Sequence, residues 1–181
     1  MKLSILIPTL PSRADKLQRL LEILKPQITN DVEILTDDRD RKTSTGTKRN
    51  ALLNRAKGLY SVFIDDDDIV SPNYVKLLFE GIDKGMDCCS LVGLIDIGNE
   101  KRTFIHSLKY DSYHEKYGIY YRYPNHLNCM KTSIAKQIQF PDITISEDTK
   151  FATRLHESKL LKTEHVINET IYFYTPSNES Y

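Results

Sequence analysis

Residues 60–72 read YSVFIDDDDIVSP: an apolar run from Tyr60 to Ile64 drops directly into four carboxylates, Asp65 to Asp68, ahead of Ser71 and Pro72. The run has the length and the aromatic and β-branched content of a buried strand. Four like charges at the end of such a strand repel one another, so something cationic must meet them there. Side chains alternate along extended backbone, which predicts Asp65 and Asp67 on one side and Asp66 and Asp68 on the other. Two oxygen donors at i and i+2 suit a hard cation that keeps coordination sites open for phosphate oxygens.

The segments around this stretch give it a frame. Upstream, KLSILIP (2–8) reads as a short buried strand closed by proline. Leu17, Leu20, Leu21 and Leu24 then mark one face of a helix that Pro26 ends. DVEILT (31–36) is a second strand, the polar stretch 37–48 a turn region, and TKRNALLNRAKG (47–58) a second helix. Beyond the aspartates, Ser71 is placed to cap a helix that starts at Pro72 and buries Val75, Leu78, Phe79 and Ile82. This βαβαβα alternation predicts a mostly parallel sheet with helices on both faces and a ligand site beyond the carboxyl ends of the strands. Asp37, Asp38 and Asp65 to Asp68 all fall at such ends.

The second half carries a different pattern. CCSLVGLIDIG (88–98) reads as one strand turning at 98–99 into a partner, and the tyrosine-rich stretch 110–124 as irregular structure or edge strands. HLNCM (126–130) reads as a strand and KTSIAKQI (131–138) as a short helix. ISEDTKFATRLHES (145–158) is expected to form a helix capped by Ser146, followed by a last strand over 166–174. On that helix Asp148 shares a face with Phe151 and Leu155, which predicts that it turns toward the protein body and the cleft. Glu147, about a hundred degrees round, is expected to face solvent or another partner.

Composition removes several function classes. Twenty-five Lys and Arg balance twenty-five Asp and Glu, so no global field recruits nucleic acid or an anionic membrane. Three cysteines, two of them adjacent, form neither a disulfide framework nor a Cys-x-x-Cys metal site, which reads as a reducing, cytoplasmic setting. The opening apolar run is too short for a signal peptide, and no later run is long enough for a membrane span. At 181 residues the chain is expected to be one domain, residues 1–100 forming one half and 101–181 the other.

Taken in order, SILIPT (4–9), the Asp37-Asp38 pair, GTKRNALLNRAKGLYSVFIDDDDIVSP (46–72) and SEDTKFATRL (146–155) resemble glycosyltransferase family 2. The resemblance covers most of the chain. It implies the GT-A fold: an α/β domain with a Rossmann-like, mostly parallel central sheet flanked by helices and a smaller, mixed acceptor-side region. It further implies transfer of a sugar, with inversion, from a nucleoside diphosphate donor, UDP by expectation, to an acceptor hydroxyl.

By the same resemblance Thr9 and Asp38 would meet the nucleotide base and ribose, and Arg49 the donor. Asp65 and Asp67 would be the Asp-x-Asp pair, Asp67 ligating Mn²⁺ or Mg²⁺ directly and Asp65 reaching the ribose or a metal-bound water. Asp148 would be the catalytic base, with His126 and Glu147 on the acceptor side. The expected acceptor is a soluble glycan or small molecule, with a modified nucleic-acid base still open; oligomeric state is left open. Many relatives carry a histidine after the last strand, and this sequence has none there. Two alternatives stay open at this point: an Asp-x-Asp phosphatase and an inactive nucleotide-sugar-binding module. Against the phosphatase, the residue two beyond Asp67 is Ile69 and the motif lies in mid-chain. A nucleotidyltransferase would open with a glycine-rich phosphate loop, which IPTLPSRADK (7–16) lacks.

Overall fold

The computed structural model describes residues 1–97 and 100–175; the turn expected at 98–99 and the residues after 175 lie outside it. In chain order the elements are β1 (Leu3–Pro8), α1 (Ala14–Leu24), β2 (Val32–Asp37), α2 (Thr45–Arg55), β3 (Tyr60–Phe63), β4 (Ile69–Val70) and α3 (Tyr74–Asp83). There follow β5 (Cys88–Cys89), β6 (Leu91–Ile97), β7 (Glu100–His106), β8 (His114–Lys116), β9 (Ile119–Arg122) and β10 (Met130–Lys131). The last are α4 (Thr132–Ile138), α5 (Glu147–Ser158), β11 (Glu164–His165) and β12 (Thr170–Tyr174). The expected βαβαβα opening is present, with β4 as a short addition.

Two six-stranded sheets result, ordered β11-β5-β10-β3-β1-β2 and β4-β12-β6-β7-β9-β8. In the first, β1 pairs in parallel with both β2 and β3, while β10 runs antiparallel between β3 and β5. The second is mixed, its longest pairing being the antiparallel β6-β7 ladder.

Both faces of the first sheet are covered, and strand alternation decides which residue goes where. Leu3, Ile5, Ile7, Val62 and Ile64 pack toward Leu20 and Leu24 of α1 and Val75, Leu78 and Ile82 of α3. Leu6 and Phe63 face the other way, onto Leu52 and Leu53 of α2, Ile134 of α4 and Phe151 and Leu155 of α5. The apolar runs of β1 and β3 are continuous because neither face meets water.

Three local expectations are corrected. The run 88–97 is two strands, because the chain leaves the first sheet at Ser90 and enters the second; the Ser90 hydroxyl accepts from Ile167 N at 2.7 Å. Ser71 does not cap α3: the helix begins at Tyr74, whose N–H donates to the Ser71 carbonyl. Ser146 does not cap α5 either, since it adopts a left-handed conformation (φ 65°) and makes no capping hydrogen bond. The tyrosine-rich stretch supplies the edge hairpin β8-β9.

The first turn of α2 lies hard against the loop that leads to α5. Gly46 N donates to Ile143 O at 3.0 Å, and a Cβ on Gly46 would stand 1.8 Å from the Pro141 carbonyl oxygen. Asp142 seals the contact by accepting from the hydroxyls of Ser44 and Thr47. Because both parties are backbone, Gly46→Ala forces α2 and this loop apart. It should lower stability by roughly 1–3 kcal/mol or more, read as a lower urea midpoint; an unchanged midpoint would show that the approach is looser than described.

Candidate functional site

The carboxyl ends of β1, β2 and β3 lie side by side, Pro8 opposite Asp37 and Leu6 opposite Phe63. Beyond them opens a cleft of about 650 Å³, within the range of small-molecule sites. One wall comes from the first sheet and α2: Thr9, Arg13, Lys48, Arg49, Asp65 and Asp66. The facing wall comes from the second sheet: Ile95, Phe104, His106, Tyr120 and Arg122. The segment 125–127 and the start of α5, with Glu147 and Asp148, complete it.

The four aspartates do not alternate. Asp68 N donates to Asp65 O at 3.1 Å, so the chain turns here, and each carboxylate meets a different part of the protein. Asp65 Oδ1 accepts from Arg49 Nη2 at 2.8 Å, and its Oδ2 lies 3.7 Å from His126 Nε2. Asp66 accepts from the Thr9 hydroxyl at 2.6 Å and Arg13 Nη1 at 2.9 Å. Asp67 is held more loosely, with Arg13 at 3.6 Å and Lys16 at 3.8 Å, and it does not line the cleft. Asp68 accepts from the Tyr172 hydroxyl at 2.6 Å and from Thr175 N at 2.8 Å.

These environments split the acidities of four identical side chains. Although burial opposes its charge, the Arg49 guanidinium and His126 hold Asp65 well below the usual carboxylate range. Burial pushes Asp66 and Asp67 upward against the pull of Arg13. Asp68 is pushed up to about 8 by burial and by the charge of Asp65. Burial thus raises the cost of charging three of the four acids, and only Asp65 is firmly ionised.

Arg49 is the hub. Its side chain is 4% exposed, donates through Nε to Glu147 Oε1 at 3.2 Å as well as to Asp65, and leaves Nη1 without a protein partner. The guanidinium lies over the rings of Phe63 and Phe140, 5.3 and 5.7 Å from their centroids. The two neighbouring acids hold its charge firmly.

Of the residues singled out in the sequence, Thr9, Arg49, Asp65, His126, Glu147 and Asp148 come together on the cleft. Asp67 and Asp38 do not: Asp67 lies beside Arg13 and Lys16, and Asp38 is exposed just past β2, while Asp37 is buried and bound by Arg39. The helix-face expectation for α5 holds at the cleft: Asp148 is half-buried and lines it, and among the described residues no cation pairs with it. Glu147 meets another partner, Arg49, and is 5% exposed. The burial of Glu147 is what periodicity left open, because Glu147 too stands one turn before the buried Phe151, at i+4.

Sequence reasoning missed three contributors. Arg13 pairs with Asp66 and Asp67 from the loop after β1, and no spacing signals it. Lys48 is buried with its ammonium on the carbonyls of Thr9, at 2.8 Å, and Arg39. It adjoins the noted Arg49, and that adjacency was the available hint. Tyr172 on β12 secures Asp68 from more than a hundred residues away.

The Glycosyl transferase family 2 model matches residues 19–144. An uncharacterized glycosyltransferase of Methanocaldococcus jannaschii is 26% identical over 139 residues, which are 74% of this chain and 48% of that protein. Among solved structures, S. aureus TarS 1–349 in complex with UDP-GlcNAc superposes with a TM-score of 0.72 at 16% identity, over 99% of this chain and 60% of that one. The same S. aureus fragment in complex with UDP gives 0.74 at 17% identity, over 98% and 61%. The chain thus spans about half the length of the curated relative and about three-fifths of these structures. The fold they share is GT-A, as expected from the sequence.

Arg49→Met leaves the buried Glu147 and the half-buried Asp65 without their cation and should cost roughly 3–5 kcal/mol. Arg49→Lys should fall between parent and Met, because one ammonium cannot reach both acids as the fork does. Urea denaturation of the three proteins checks this; a Met variant within about 1 kcal/mol of the parent would remove Arg49 from the centre of the site.

Proposed function

This chain belongs to glycosyltransferase family 2, and from that premise we propose that it transfers a sugar from a UDP-sugar to an acceptor hydroxyl with inversion, Asp148 acting as base. The observation that carries the reading is the division of labour at the head of α5. Glu147 is committed to Arg49, while Asp148 stands on the cleft with no cationic partner among the described residues. A carboxylate in the first turn of a helix is favoured in its ionised form by the positive end of the helix, and that is the form a base needs.

In this mechanism the acceptor oxygen bonds to the anomeric carbon as the bond from that carbon to the diphosphate oxygen breaks. The hydroxyl proton passes to Asp148, and the electron pair leaves with the diphosphate. One base facing one leaving group across the sugar gives inversion. Thr9, Lys48 and the free Nη1 of Arg49 are the groups that would receive the donor. His126, 4% exposed with no hydrogen bond to either ring nitrogen, would contact the sugar or the acceptor. The UDP assignment is supported by the shared fold with the nucleotide-bound S. aureus structures.

The metal reading fits the chemistry of the turn. Among the described residues no group of three or more His, Cys, Asp or Glu is arranged to hold an ion, so the protein would supply one or two carboxylates and the diphosphate and water the rest. Asp65 lines the cleft and Asp67 lies just off it, with Arg13 and Lys16 at 3.6 and 3.8 Å, so Asp67 would ligate Mn²⁺ or Mg²⁺ from beside the cleft while Asp65 meets the ribose or a metal-bound water. When bound, such an ion neutralises charge developing on the departing diphosphate.

Three buried free cysteines suit a reducing cytoplasm. Among the described residues no helix is long and apolar enough to cross a membrane, and a soluble glycan or small-molecule acceptor is the proposed class.

Two measurements test the assignments. Asp148→Asn should lower transfer by about 10²–10⁴-fold while UDP binding persists; Glu147→Gln should instead lower stability, through Arg49. A Gln variant that is folded but inactive beside an active Asn variant would exchange the roles. Asp67→Ala should abolish the dependence of UDP binding on Mn²⁺ in calorimetry, with the melting temperature of the metal-free protein held or raised because one repelling carboxylate is gone. Metal-dependent binding equal to the parent's would remove Asp67 from the metal site.

A further inference from the structure

We propose that Arg122 anchors a negatively charged group of the acceptor, a phosphate or a carboxylate, on the wall of the cleft formed by the second sheet. This rests on the reading of Asp148 as the base, and it names the class of molecule that presents the hydroxyl.

Most cations of the cleft are already engaged or solvated. Arg13 is tied to Asp66 and Asp67, and Arg49 to Asp65 and Glu147. Lys48 gives hydrogen bonds to two backbone carbonyls. Arg41 is exposed, where water serves it. Arg122 differs from all of them: it is half-buried, it lines the cleft, and among the described residues its guanidinium has neither a hydrogen-bond acceptor nor a carboxylate partner.

What the protein does supply is a pair of aromatic rings. The guanidinium carbon lies 5.2 Å from the Tyr113 ring centroid and 5.9 Å from that of Tyr120. Such ring contacts orient the plane of the group while leaving its N–H edge open, the edge that forks onto two oxygens of a phosphate or carboxylate. The surroundings offer no substitute. Directly opposite Arg122 in the β7-β9 register is His106, fully buried and pushed down to about 3 by burial and by the charge of Arg122. Ile95 and Phe104 complete an otherwise apolar wall. A cation partly stripped of water on such a wall is stabilised by a ligand that brings the missing charge.

Position assigns that ligand to the acceptor. Thr9, Lys48, Arg49 and Asp65, the proposed donor groups, belong to the opposite wall. Asp148 and Arg122 are both near enough to Tyr113 for their charges to act on its phenol. Base and anchor line the same cleft, with Tyr113 against Arg122, so one acceptor is placed to present its hydroxyl at Asp148 and its anionic group at Arg122.

The test uses the full chain saturated with UDP and Mg²⁺, and titrates it with inorganic phosphate and, separately, with acetate, following Arg122 by side-chain guanidinium NMR. One of the two anions should shift the Arg122 resonance, and which one does so separates a phosphate from a carboxylate acceptor. Arg122→Gln should weaken that anion by about ten- to a hundredfold with UDP affinity unchanged. Arg122→Lys should recover part of the loss, and both variants should melt as the parent does. If Gln does not fold, the Lys variant and the parent titration decide. No response of Arg122 to either anion would overturn the proposal, as would equal anion affinity in Arg122→Gln. A joint loss of UDP binding would instead assign Arg122 to the donor diphosphate. None of these outcomes depends on turnover, so loss of activity in Asp148→Asn can stand while this inference fails.

Discussion

A guanidinium buried among phenylalanine rings is tolerable only while its acids stay in place, and Arg49 has two, Asp65 and Glu147, drawn from opposite ends of the chain. Asp65 follows β3 and opens the acidic turn; Glu147 opens α5 and sets the direction of Asp148 beside it. Removing either acid leaves a buried charge without its full complement, and removing Arg49 leaves two. The pair of bridges therefore does more than add stability. It fixes the position of the proposed metal-side acids relative to the proposed base, and the close contact of α2 at Gly46 with the loop before α5 holds the same two regions together through backbone.

The acidic turn shows how one residue type is divided among tasks by its neighbours. Asp65 is kept ionised by Arg49, Asp66 ties the end of β1 to the turn, and Asp68 ties β12 to it. Asp67 is left with only distant cations. Asp66 and Asp68 hold the turn in shape, and Asp65, on the cleft, and Asp67, just off it, are the pair left for the proposed metal and donor. The cleft then separates its charges: cations and acids crowd the wall built on the parallel strands, while the wall built on the second sheet is apolar and aromatic apart from Arg122 and the neutral His106.

Much of this was legible in the sequence, for identifiable reasons. β1 and β3 were clear because buried parallel strands are apolar on both faces, and α1 because its leucines repeat on one face. The site was placed at strand ends by the alternation of elements alone. What the sequence did not show was orientation set by single backbone angles. Periodicity placed Asp148 toward the cleft, but that Ser146 lies in the left-handed region without capping α5, and that Glu147 is buried against Arg49, left no trace in the pattern. The turn at Asp65 to Asp68 likewise breaks the alternation expected of a strand. The break at Ser90 between sheets was invisible because both sheets want the same residues, and Arg13 and Tyr172 were missed because their partners are distant in the chain.

The most direct test of the central role of Arg49 is a carbon-13 NMR titration of the side-chain carboxylates of Asp65 and Glu147. Both touch one guanidinium, yet their environments push them apart. Asp65, which receives the stronger contact, should remain ionised at pH values well below the ordinary carboxylate range, while burial should make Glu147 titrate above that range. Replacing Arg49 with Met should move Asp65 upward. Ordinary, independent titrations for both acids, unaltered by loss of Arg49, would contradict the account.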